Sequence, residues 1–406
     1  MKIKLIKYAN SLDPNATFVQ DSNDFIDEIN NELFDDDIQL STNEGEEPYP
    51  LIFIETGGSE QKFIKDVDKY PDPIILLSNC KNNSLPACFE IRTYLETRGR
   101  QSILLFGEEA TIAGTLKQIH KFMMAKAELN NMNLGVIGVP SDWLIASRVN
   151  YHEAKKRFGV NLIDITTQEL KEEIKKGMIE DIPHENELYK MDFDHDVIKG
   201  ALEIYSGLKR IIAKYNLSGF TLRCFDLLEE YKNTACLAFA LLNEEGIIAA
   251  CEGDVPALLT MMLVKVTTGN APFMANPSRI DLRDGNILFA HCTVPLNMCK
   301  KYGLMTHFES NLGIGIRGEL ELGKVTVCKI APNLKDFLCV TGEIKENLTL
   351  NNYCRTQILV NMEREGMFDF LKEIFGNHVI ISYGDDLDTL ITVFHFCIDG
   401  VVTNND

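Results

Sequence analysis

The sequence predicts an α/β protein: two Rossmann-like three-layer α/β domains followed by a β-rich, barrel-like C-terminal domain. Three observations carry this. Over residues 1–269, short apolar runs alternate with segments of helical spacing, the pattern of a parallel sheet covered by helices on both faces. The alternation restarts near residue 132, at "MNLGVIGVPSDW". After about residue 270, short strands follow one another with turn residues such as "RDGN" between them. The expected domains are residues 1–131, 132–269 and 270–406.

In the first domain "KIKLIKYA", "YPLIFIETGG", "PIILLSN" and "QSILLFGE" read as strands. "EQKFIKDVDKY", "LPACFEIRTYLETRG" and "EATIAGTLKQIHKFMMAKAELNN" read as helices. In the second, the strands are "LGVIGVP", "NLIDIT", "GFTLRCFDL" and "GIIAACE". Its helices are "WLIASRVNYHEAKKRF", "DVIKGALEIYSGLKRIIAKYN" and "VPALLTMMLVKVTTG", and each glycine that follows a helical pattern reads as a stop. The third domain reads as the strands "APFMANPSRI", "NILFAHCTVP", "LMTHFES", "IGIRGELEL", "KVTVCKIA" and "FLCVTGEI". The helix "EREGMFDFLKEIF" and the strand "VIISYG" close it, with Gly376 as the left-handed helix cap.

The chain has 406 residues, 45% of them hydrophobic, enough for a substantial core. Its formal charge of −20 argues against non-specific binding to nucleic acid or to an anionic membrane. Eleven cysteines, an odd number without CxxC pairs, lie mostly inside apolar runs and read as free thiols in a reducing compartment. "MKIKLIKYAN" has no apolar signal region, and "EGD" interrupts the longest apolar stretch, "GIIAACEGDVPALLTMMLV". A cytoplasmic protein is expected.

Gly313, Gly315 and Gly318 in "GIGIRG" form a literal GxGxxG. A strand-like sequence follows instead of the helix whose N-terminus would hold a pyrophosphate, so these glycines belong to turns. "IIAACEGDVPALLTMM" is more informative. Asp254 reads as the N-cap of a helix with Pro256 in its first turn. Glu252 closes the strand before it, where an α/β sheet builds its crevice, and reads as a surface carboxylate or a functional one. His307 and Glu309, two apart in a strand, share a face. They offer either two ligands for one metal or one side of a cross-strand ion pair. His378, between a helix and a strand, either opens the strand or presents chemistry at its end.

Together "ACEGD", "FMANPSRID", "AHCTVP" and "GNHVIISYGD" resemble motifs of the L-fucose isomerase and L-arabinose isomerase group. The motifs lie in the later part of the chain, and the first domain resembles that group in architecture only. The resemblance implies a divalent metal, usually manganese, held by a Glu in an "E-(N/G)-D" turn, a second acidic residue and a His. Here those positions are Glu252, Asn276 and His378. Asn276 departs from the pattern: its carbonyl can reach a metal, but it is neutral and cannot act as a base.

The implied activity is aldose–ketose isomerisation of an open-chain sugar through an enediol. Glu252 and Asn276 would be the catalytic pair, and Asp254 the next candidate base. Asn377, Arg279, Asp281 and His291 would contact substrate, and His291 resembles a histidine that lies at the metal in the arabinose branch. The resemblance also implies a homo-oligomer, a trimer or hexamer, in which Thr56, Gly57, Gly58 and Ser59 of "ETGGSE" complete a neighbour's site. Another metal-assisted reaction on a sugar or sugar acid, or a non-catalytic sugar-binding relative, would fit the same motifs.

Overall fold

A computed structural model describes residues 2–10, 18–34, 38–43 and 49–399. The chain is a mixed α/β protein with two parallel sheets and one closed antiparallel barrel. It divides into two compact units, Met1–Ala127 with the stretch from His395, and Glu128–Phe394. The expected boundary near residue 270 therefore falls inside the second unit.

The first unit holds a five-stranded parallel sheet, β1 (Lys2–Tyr8), β2 (Gln39–Ser41), β3 (Leu51–Ile54), β4 (Ile74–Leu77) and β5 (Ser102–Leu105), in the order β2-β1-β3-β4-β5. Its helices are α1 (Phe18–Leu33), α2 (Glu60–Asp66), α3 (Ser84–Thr97) and α4 (Glu109–Leu129). Every residue of "LIFI" and "IILL" is buried, as both faces of a parallel sheet require. The sequence reading left α1 and β2 unassigned.

Thr56–Ser59 joins β3 to α2, and its polar groups are used locally. Thr56 Oγ1 accepts from the Asn10 amide at 2.7 Å, and the Gly57 amide donates to the Asn82 carbonyl at 2.9 Å. Ser59 Oγ donates to the Thr56 carbonyl at 2.7 Å.

The second unit begins with a four-stranded parallel sheet in the order β7-β6-β8-β9. The strands are β6 (Asn133–Ile137), β7 (Asn161–Ile165), β8 (Leu217–Leu222) and β9 (Ile248–Ala250). Helices α5 (Tyr151–Phe158), α6 (Thr167–Ile174), α7 (Glu185–Leu188), α8 (His195–Tyr215), α9 (Asp226–Tyr231), α10 (Cys236–Glu244) and α11 (Val255–Thr268) connect and follow them. Helix α5 is half the expected length. Asn150 caps it, accepting from the Glu153 amide at 3.1 Å. The preceding "WLIASRV" is a loop in which Leu144 is buried and Ile145 almost fully exposed, so no continuous apolar stripe forms.

The barrel follows, with the strand order β10-β11-β16-β15-β14-β17. Its members are β10 (Phe273–Asp281), β11 (Asn286–His291), β14 (Gly323–Ile330), β15 (Phe337–Asn347), β16 (Thr356–Asn361) and β17 (Val379–Tyr383). Strands β12 (Cys299–Met305) and β13 (Gly315–Leu320) pair separately, and α12 (Arg364–Glu373) and α13 (Leu387–Asp399) follow β16 and β17. Closure leaves the barrel without free edges, and it depends on β16, which the sequence reading did not anticipate. "GIGIRG" enters β13 and opens no helix, as expected. His307 and Glu309 lie in the loop between β12 and β13, not in a strand, so the face-sharing argument does not apply to them. Gly376 is left-handed (φ 74°) but sits in the turn before β17. Helix α12 ends earlier, at an extended Ile374.

Candidate active site

The site is built where β9 turns into α11. Glu252 (φ 63°) and Gly253 (φ 76°) are both left-handed, which reverses the chain within two residues. A Cβ on Gly253 would lie 2.7 Å from Pro140 Cα, so only glycine fits. Glu252 has no such exemption. A non-glycine residue in this conformation is strained, and such strain concentrates at functional positions. Asp254 then caps α11 as expected, Oδ1 accepting from the Ala257 amide at 2.9 Å.

The Glu252 carboxylate is buried, 8% exposed. Its Oε2 accepts from the indole Nε1 of Trp143 at 2.6 Å, and its Oε1 lies 3.6 Å from His378 Nε2. Burial opposes its ionisation. The charge of His378, 3.6 Å away, with His291 and the Trp143 hydrogen bond, outweighs that and holds the carboxyl at about 2.

His378 is fully buried immediately before β17. Its Nδ1 donates to Asp254 Oδ2 at 3.0 Å, while Nε2 has no hydrogen-bond partner. The same Oδ2 receives the ammonium of Lys329, on β14, at 2.9 Å. Burial disfavours the charge on Asp254, but Lys329 and His378 overcome it and keep this carboxyl well below its usual range. With both oxygens engaged, Asp254 faces away from any substrate and orients His378 instead. His291, the last residue of β11, is buried with Nδ1 hydrogen-bonded to Thr293 Oγ1 at 2.8 Å. Burial, then the neighbouring His378, push its pKa down to about 3, so it is neutral. The two imidazoles meet edge to face, ring centres 5.5 Å apart.

A cavity of about 470 Å³ opens onto this group. Of the expected site residues, Glu252, Asn276, His291 and Asn377 line it; His378 is not on the wall and lies against Glu252, Nε2 3.6 Å from Oε1. Asn276 Nδ2 donates to the Asn377 carbonyl at 3.3 Å. Arg279 and Asp281 do not reach the cavity. They lie farther along β10, beyond a bulge at Pro277/Arg279, on its exposed part. Ser278 is the last residue of this strand on the wall, and Arg279 and Asp281 follow it on the exposed end. Thr56–Ser59 belongs to the first unit and is no part of this cavity.

The structure adds residues that the sequence reading did not assign to this site. Trp143, the only tryptophan, stacks edge-on against Phe225 and reaches Glu252 from the loop expected to be helical. Lys329 had a readable signal, a charge in the middle of the apolar run "VTVCKIA". His307 and Glu309 line the cavity from their loop, and burial raises the Glu309 carboxyl. Cys224, Cys236, Cys251, Cys292 and Cys354 contribute thiols to the wall. Among them Cys251 stands out: its sulfur and ligand atoms of Glu252 and His291 all lie within 4.8 Å of one another. A buried carboxylate, an imidazole and a thiol within 4.8 Å of one another, with the second imidazole, His378, beside the carboxylate, fit a divalent metal.

No family model matches the sequence. Among curated proteins, the chain is 22% identical over 368 residues to the sulfoquinovose isomerase of Alkalicoccus urumqiensis, covering 83% of this chain and 82% of that protein. It is 21% identical to the sulfoquinovose isomerase of Priestia aryabhattai, over 81% and 79% of the two chains. It is 25% identical to that of Clostridium sp. (strain MSTE9), over 54% and 52%. By this likeness the chain is an enzyme, an isomerase. These relatives carry the name of neither L-fucose nor L-arabinose. Among the described residues no helix is long and apolar enough to cross a membrane.

Proposed function

We propose that the chain is an aldose–ketose isomerase that moves the carbonyl of an open-chain sugar between C1 and C2 through an enediol. The observation that carries this reading is the convergence, at one cavity, of the Glu252 carboxylate and neutral His291, with the buried His378 imidazole 3.6 Å from Glu252. A divalent cation bound there, manganese by the resemblance, would polarise the oxygens on C1 and C2 and acidify the intervening C–H.

Glu252, Asn276 and His378 would hold it, with His291 beside them. Glu252 Oε1 would take the proton from one carbon and return it to the other, while Trp143 fixes Oε2. Asp254, held by Lys329, orients His378 so that its Nε2 faces Glu252. Asn377 would take a sugar hydroxyl. Glu309, the second carboxylate on the wall and the one with the raised pKa, is the alternative proton carrier in place of the acidic residue missing at Asn276.

The sulfo- prefix in the relatives' name denotes an anionic sulfonate on the sugar. No lysine or arginine lines this cavity among the described residues, and Glu252 and Glu309 do. An uncharged sugar therefore suits it better. Two α/β domains and a β-rich domain, 1–131, 132–269 and 270–406, assembled as a trimer or hexamer, complete the reading. Light scattering that returned a monomer at micromolar concentration would remove the oligomer from it.

The test is incubation with neutral aldoses, and with sulfoquinovose, in D2O in the presence of Mn2+. The expected result is ketose formation with deuterium at carbon from a neutral sugar, lost by about 10²–10⁴-fold in Glu252→Gln. If Glu309→Gln loses the exchange and Glu252→Gln keeps it, Glu309 is the proton carrier. No exchange with any sugar ends the isomerase reading.

A further inference from the structure

We propose that Cys251 is a ligand of the metal. Its thiolate gives the site a Cys–Glu–His–His donor set that selects a thiophilic borderline ion such as zinc or cobalt over manganese. This rests on the reading of the cavity as a divalent-metal site.

Charge is the first argument. Glu252 is the one carboxylate in the group around His291 and His378. Asn276 is neutral, both imidazoles are neutral ligands, and Asp254 is committed to Lys329, His378 and the Ala257 amide. A divalent ion held by that set alone would leave an excess positive charge in a buried place, which is costly. One thiolate removes the excess.

Geometry is the second. Ligand atoms about 2.0–2.3 Å from a single ion lie at most about 4.6 Å from each other. The Cys251 sulfur and ligand atoms of Glu252 and His291 fall within 4.8 Å of one another without an ion to draw them in. Successive residues of an extended strand point to opposite faces. The left-handed Glu252 breaks that alternation, so two neighbours in sequence reach one point. This assigns a purpose to a strained conformation that the capping of α11 does not need.

The fourth donor is independent of both. His378 is fully buried and lies outside that group of three; its Nε2 makes no hydrogen bond and stands 3.6 Å from Glu252 Oε1. The Asp254 carboxylate holds Nδ1–H and leaves the lone pair on Nε2, the arrangement that orients metal-binding histidines. Without metal the Cys251 thiol is paired with Cys224, sulfur to sulfur 3.1 Å. Once Cys251 binds as the thiolate and its proton leaves to solvent, the Cys224 S–H remains to donate to that thiolate. Two nitrogens, one oxygen and one sulfur favour zinc, cobalt or ferrous iron, whereas manganese prefers oxygen.

The experiment uses the full chain, reduced and stripped with a chelator, then titrated with Co2+, Zn2+ and Mn2+. The expected result is a sulfur-to-cobalt charge-transfer band that saturates at one Co2+ per chain. Cys251→Ser should lose it, and Cys224→Ser and Cys292→Ser should keep it. Zinc should bind Cys251→Ser about 10²-fold more weakly than wild type, with manganese affinity changed by less than about tenfold. A wild-type cobalt complex without the band, or a band that survives Cys251→Ser, overturns the proposal. Should Cys251→Ser fail to fold, X-ray absorption at the zinc edge of the wild type decides. One sulfur beside nitrogen and oxygen ligands supports the proposal, and nitrogen and oxygen alone overturn it. Isomerisation without the band defeats this ligand assignment and leaves the isomerase reading standing; the band without isomerisation does the reverse.

Discussion

Glu252 is the residue on which the site turns, and its neighbours account for its state. A carboxylate this deeply buried would ordinarily hold its proton. The indole N–H of Trp143 at 2.6 Å and the imidazole of His378 reverse that preference. Trp143→Phe keeps the edge-on packing against Phe225 and removes only the N–H. A hydrogen bond to a charged group contributes about 1.5–3 kcal/mol, so the variant should raise the Glu252 pKa and lower kcat more than it raises KM. Because Trp143 is the only tryptophan, its emission reports the site directly. The wild-type spectrum should change as metal or sugar binds. Emission that stays constant while a metal demonstrably binds would place Trp143 outside the working site.

At the scale of elements, the site depends on α11 and the barrel strand β14 being held together by one buried ion pair. Lys329 and Asp254 are both almost fully buried, and their bond joins positions 75 residues apart. Removing one partner of such a pair leaves a buried charge unanswered and costs about 3–5 kcal/mol, whereas an apolar replacement of both is often nearly neutral. Lys329→Met should therefore lower the urea unfolding free energy by about 3 kcal/mol, and Lys329→Met with Asp254→Asn should recover much of it. Equal losses in the single and double variants would show that the pair does not join the two elements.

For the molecule as a whole, these carboxylates set an acid limit. Glu252 is depressed from 4.5 to about 2, and Asp254 is depressed further below its own ordinary value. Groups whose pKa is lower in the folded state stabilise the fold above their unfolded pKa. That stability is lost as pH falls toward the folded value. The metal-free protein should therefore lose unfolding free energy steadily from about pH 5 to pH 2, with Glu252 accounting for up to about 3 kcal/mol. Glu252→Gln should have a shallower slope over that window, whatever its stability at neutral pH. A slope identical to wild type in urea titrations across the window would contradict the depressed carboxyl.

The sequence by itself determined the features that depend on neighbours along the chain. Alternating apolar runs placed most of the parallel strands, because a strand buried on both faces must be apolar throughout. Asp254 announced its cap, and "GIGIRG" announced that it opens no helix, since each motif is read within a few residues. Glu252, Asn276, His291 and Asn377 were legible as one group because their motifs resemble those of the isomerase group, and Glu252 also because it closes a strand before a helix. What joins residues distant along the chain was decided by the tertiary structure. Trp143 meets Glu252 across 109 positions and His378 meets Asp254 across 124. The turn of Glu252 into the left-handed region brings Cys251 to the same point as His291. Arg279 and Asp281 resemble substrate contacts in one dimension and lie beyond the cavity in three. The physical reason is common to all of these. Propensity and capping act over a few residues, whereas strand register, barrel closure and the exchange of water for a buried partner depend on which distant groups the folded chain brings together.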